Sequence, residues 1–134
     1  MCLIQRTGLA LLVVAFIGFH GCRTANQRAR IAELQALAQE IPAFPDFKQV
    51  HYEDISKSGA AVVTYYYQSA AAFENVKEFY TKELSARGWT AEKQEGLWVD
   101  SSSPSTFRKG NYKIVLTRDD ILMWQYTIDF SWRD

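Results

Sequence analysis

The chain has 134 residues, 15 basic and 15 acidic side chains, no formal net charge, and 48% hydrophobic residues. That length fits one domain, the even charge disfavours nucleic acid, whose phosphates call for a basic excess, and the apolar content is too high for a disordered chain. Two cysteines and two histidines are too few for a disulfide framework or a zinc site, so no metal and no other cofactor is expected.

Residues 1–22 read as a targeting segment. Arg6 precedes an apolar run from Leu9 to Phe19, and small residues close the segment. As a helix this run would span about 16 Å, against about 30 Å of bilayer hydrocarbon, which fits a secretory signal peptide better than a membrane span. Phe19-His20-Gly21-Cys22 resembles the lipobox of bacterial lipoproteins, in Gly21 and Cys22 more than in Phe19 and His20. The resemblance implies lipidation of Cys22, which becomes the mature N-terminus. Several acyl chains on one residue anchor firmly where a single chain does not. Arg23 follows, and a residue other than Asp there implies, by the same resemblance, the outer rather than the inner membrane. An uncleaved N-terminal anchor and a buried helix are the alternatives. The body beyond Cys22 has no thiol, which suits an envelope compartment.

The remaining chain divides into residues 23–45, a polar tether with an N-terminal helix, and 46–134, the folded domain. Residues 23–30 hold three arginines and no large apolar side chain. Helical spacing of Ile31, Leu34, Leu37, Ala38 and Ile41 predicts a helix over 26–41, stopped by Pro42 and Pro45. Phe44 and Phe47 are expected to pin the extended segment that follows. Residues 48–56 and 60–68 read as a strand pair around Lys57-Ser58-Gly59. A helix over 70–87 follows, with Ser69 as N-cap and Phe73, Val76, Tyr80 and Leu84 as its apolar stripe. Gly88 fits a left-handed helix end that brings Trp89 back onto Leu84.

Short strands are expected at Thr90–Lys93 and Leu97–Val99, then a hairpin of Thr106–Lys109 and Tyr112–Arg118 around Gly110-Asn111. The last strand alternates most strongly, with Leu122, Trp124, Tyr126, Ile128, Phe130 and Trp132 on one face. The expected fold is α+β: an antiparallel sheet of about five or six strands, one amphipathic helix packed on one face, and an N-terminal helix.

Phe79-Tyr80, Leu84, Gly88-Trp89, Phe107 and Lys109-Gly110 together resemble a pattern of small uncharacterised bacterial lipoproteins, over about residues 45–132. Its marks are a helix end and a hairpin turn, so the resemblance implies a fold and lends no activity.

The search for chemistry finds little. His51 stands near Glu53 and Asp54, with no second ligand for a metal and no nucleophile at a recognisable spacing. Asp119-Asp120 lacks the spaced oxygens of a calcium loop, and Ser101–Ser105 lacks a nucleophile elbow. The aromatics form the candidate binding surface: Tyr65, Tyr66 and Tyr67 cannot share one strand face, and Trp98 and Phe107 would join whichever of them is exposed. In the other reading, helix 26–41 and the Phe44–Phe47 segment cover that second face. The expected function is a non-catalytic, lipid-anchored module of the bacterial envelope facing the periplasm, with an envelope protein or lipid as partner. A carrier of a small ligand or lipid, with a cleft between sheet and helix, is the alternative.

Overall fold

The computed structural model describes residues 25–95, 99–120 and 123–134. In chain order it contains helix α1 (25–40), β1 (Lys48–Lys57), β2 (Ala60–Gln68), α2 (Phe73–Ser85), β3 (Thr90–Ala91), β4 (Ser105–Lys109), β5 (Tyr112–Arg118) and β6 (Tyr126–Arg133). The strands form one sheet in the order β1-β2-β6-β5-β4-β3, every neighbour antiparallel. The chain is therefore α+β. The last strand is central: β6 inserts between the β1–β2 hairpin and the β3–β4–β5 meander and bonds to both. Its inward side chains Tyr126, Ile128 and Phe130 are all buried, as its strong alternation required.

The local signals act where the sequence puts them. Gly59 and Gly110 take positive φ in the two hairpin turns. At the end of α2, Gly88 has φ +81°, Trp89 N donates to Leu84 O at 3.0 Å, and Gly88 N donates to Ser85 O at 3.1 Å. Both bonds of a Schellman end are present, and Leu84 and Trp89 are buried in one cluster. The start of α2 differs from the expectation. The helix begins at Phe73 after Ala72, with no side-chain cap. Ser69 is used elsewhere: its hydroxyl donates to Asp46 at 2.8 Å and accepts from Ala71 N at 3.1 Å, tying the strand exit to the segment after α1. The strand expected at Thr90–Lys93 shortens to Thr90–Ala91, and Leu97 lies outside the described residues.

The larger departure concerns α1. The second face was open to being covered by helix 26–41 and the Phe44–Phe47 segment. Instead α1 joins α2 on the same face. Leu34 and Ile41 share one buried cluster with Val76, Tyr80 and Leu84 of α2 and with Val63, Phe107, Ile114, Leu116 and Ile128 of the sheet. Between the helices, Phe47 stacks on Tyr67 at 4.7 Å, Phe44 meets Phe79 edge-on at 5.4 Å, and Phe44 N donates to the Tyr80 hydroxyl at 3.1 Å. The reason is width. Six strands extend about 24 Å across at their usual spacing, and a helix with side chains covers about 10 Å. One helix leaves half the apolar face wet, and two side by side close it. α1 begins at residue 25, so the arginine-bearing stretch from there to Arg30 is helical, not a free tether.

Candidate functional site

The uncovered face of the sheet carries a different population. From β2 it presents Val62, Thr64 and Tyr66, and from β6 Thr127, Asp129 and Ser131. These pair directly across the strands, and none is buried. Among the described residues no helix lies on this face.

Its most organised part is built by two local irregularities. The register of β1 on β2 slips between Gln49 and His51, with Val50 as the extra residue. Without that bulge His51 would fall opposite Tyr65 on the covered face. With it, His51 stands opposite Tyr66 on the open one, the re-aiming that bulges perform. The second irregularity precedes β6. Trp124 was expected to face inward with Tyr126 and Ile128. The chain bends at Met123 and Gln125, where Gln125 N donates to Tyr67 O and Asp119 N to Gln125 O. The strand proper starts at Tyr126, and the Trp124 ring turns to the open side.

There Trp124 meets Tyr66 at 4.6 Å between ring centroids and lies parallel to His51 at 6.2 Å, while His51 and Tyr66 are 5.2 Å apart. Glu53 braces the group: one oxygen accepts from the Tyr66 hydroxyl at 2.9 Å and the other lies 3.1 Å from His51 Nε2. These two hydrogen bonds, that to His51 foremost, hold the Glu53 carboxyl below its ordinary range. Burial, followed by the bond to Glu53, pushes the Tyr66 phenol up to about 12, so it stays a neutral donor. Next to it Thr64 Oγ1 donates to Asp129 at 2.7 Å. The indole Nε1 of Trp124 is buried without a hydrogen-bond partner among the described residues. An unmet buried donor costs about 1–3 kcal/mol.

The residues expected to form a binding surface are divided by the fold. Tyr66 alone lies on the open face. Tyr65 and Tyr67 pack on the covered side against Phe130 and Phe47, Phe107 is only 1% exposed in the core, and Trp98 lies outside the described residues. Alternation assigns Tyr65 and Tyr67 to one side but does not reveal which side the helices take. His51 and Glu53, noted from sequence as neighbours, do come together. Trp124 was missed because the strand pattern gives no sign of the bend before Tyr126. Cys22 also lies outside the described residues.

Among the described residues no group of three His, Cys, Asp or Glu side chains is placed to hold a metal ion, and no helix is long and apolar enough to cross a membrane. Comparison with protein-family models, curated proteins and solved structures finds no match.

Proposed function

We propose that the protein is a non-catalytic lipoprotein of the bacterial envelope, anchored through Cys22 and facing the periplasm, whose open sheet face binds an envelope partner. The observation that supports this reading best is the asymmetry of the sheet. Two helices and the Phe44–Phe47 wedge crowd one face, while the other presents the aromatic group Tyr66, Trp124 and His51 with fixed hydrogen-bonding neighbours. Flat aromatic surface with a few oriented polar groups suits recognition of another macromolecule. Both Glu53 oxygens are already engaged and the Tyr66 phenol is held neutral, which favours binding over chemistry. The anchor rests on the lipobox-like Phe19-His20-Gly21-Cys22, and Arg23 favours the outer membrane. Beside Tyr65, Tyr67 and Tyr80 the covered side leaves a gap of about 160 Å³. That is below the 300–1,000 Å³ usual for small-molecule sites, so a carrier with its cargo enclosed at that place is less well supported; the larger opening on this side lies beside the first turns of α1.

The test is the mass of the mature N-terminus from membranes, beside a Cys22→Ser variant. A di- or triacylated Cys22 that disappears in the variant is expected. An intact Met1 without acyl mass would overturn the anchor.

A further inference from the structure

A second site, separate from the open face, lies where the first turns of α1 approach the tip of the β1–β2 hairpin. A cleft of about 500 Å³ opens there, within the range of small-molecule sites. Its lining includes the small residues Ala60 and Ala61, and Trp132 supplies an apolar wall. That wall is rigidly held. The Arg30 guanidinium lies 3.7 Å over the Trp132 ring and bonds Glu33 at 2.6 Å, and Glu33 also accepts from the Tyr112 hydroxyl.

Two further charges line the cleft and are not spent in this way. The side chains of Lys57 and Asp134 have neither a hydrogen bond nor an ion pair among the described residues, to each other or to any neighbour. Asp134 is nevertheless positioned. Its backbone N donates to Gly59 O at 3.1 Å, and its carboxylate lies so close over Gly59 that a Cβ there would come within 3.3 Å of it. The cleft thus offers an available cation at Lys57 and an acidic position at Asp134 beside an apolar wall. A purely anionic ligand would meet Asp134 and Glu33, and a purely cationic one would meet Lys57 and Arg30.

We propose that this cleft binds a zwitterion of the phosphoethanolamine type, with its phosphate at Lys57, its ammonium at Asp134, and its short carbon link against Trp132. Two sources carry that group: a phospholipid headgroup and a soluble glycerophosphodiester. The headgroup source rests on the anchor reading. α1 begins three residues after Cys22, a span of at most about 11 Å, so a lipidated Cys22 would hold the cleft within reach of the bilayer surface.

The test titrates glycerophosphoethanolamine into the purified full chain in detergent and follows the Trp132 indole N–H by NMR. A saturable shift is expected in the millimolar range. Lys57→Glu and Asp134→Lys, both changes at exposed side chains, should each weaken it at least about fivefold, roughly 1 kcal/mol, while Glu78→Gln, exposed on α2, should leave it unchanged. Glycerophosphoglycerol, an anionic diester, and ethanolamine, a cation, each carrying one of the two charges, should bind markedly less well. No saturable shift, or an equal response to either singly charged probe, would overturn the proposal. The same reading in lipid nanodiscs separates the sources. A response to phosphatidylethanolamine and not phosphatidylglycerol discs assigns the headgroup, and a response to the soluble probe alone assigns the soluble diester. The soluble titration does not require acylation, so its failure would remove the cleft and leave the Cys22 anchor standing.

Discussion

The two faces of the sheet are made from the same strands and were solved differently. On the covered face, side chains are large and apolar and their number sets the architecture. One helix is too narrow, so a second helix and a phenylalanine wedge are recruited to the same side. On the open face the strands carry threonine, valine and charged residues that tolerate water, and the aromatics are few and placed. Placing them took two breaks in regular structure, the bulge at Val50 and the bend at Met123 to Gln125. Regular pairing builds the core, and departures from it build the surface group.

The largest difference between the faces should appear in stability. Phe107→Ala, in the core at 1% exposure, is expected to cost about 3–5 kcal/mol in urea unfolding. Trp124→Ala should cost less than half as much despite removing a larger ring, because the indole is only half-buried and loses an unmet N–H with it. Equal losses would mean that the open face is a second core. Next in size, Gly88→Ala should cost about 1–2 kcal/mol, the strain of a side chain at positive φ, since a Cβ there meets nothing closer than 3.8 Å. A smaller change, about 1 kcal/mol, is expected for Tyr80→Phe, which removes the acceptor of Phe44 N and loosens the wedge between the helices.

The smallest effect is one of pH. Burial, and secondarily the neighbouring Tyr65, pushes the Tyr67 phenol on the covered face up to about 12, against about 10 in an unfolded chain. The folded state therefore holds that proton more tightly. The stability this represents is fully present below about pH 10 and is lost as pH rises from there towards 12. Unfolding free energy measured over that range should fall, and Tyr67→Phe should flatten the fall. An unchanged slope in the variant would place Tyr67 in water.

What could be read from the sequence follows the range of the forces involved. The Gly88-Trp89 helix end, the Gly59 and Gly110 turns and the alternation of Tyr126 to Trp132 are fixed by neighbours within a few residues, and all are in place. The stripe of α1 and the anchoring of Phe44 and Phe47 were legible as apolar surfaces. Their choice of face was not, because it depends on the width of a sheet assembled from distant strands. The same holds for the site. Tyr66 and the proximity of His51 to Glu53 were visible, whereas Trp124 followed the period-2 pattern into the wrong face, and Phe107 looked available for a surface until its strand was seen to face the helices. The Ser69 cap failed for a related reason: a contact with Asp46, 23 residues away, competes with the helix start.

The most direct measurement is oxidative footprinting of the protein in intact envelopes against the same protein purified in detergent. Met123, 85% exposed, is a sensitive reporter beside Trp124 and Tyr66, and Phe79 on the helix side is the reference. Loss of reactivity at Met123, Trp124 and Tyr66 in envelopes, with Phe79 unchanged, is the expected result. Equal reactivity of the open face in both preparations, or protection confined to Phe79, would contradict a partner bound on that face.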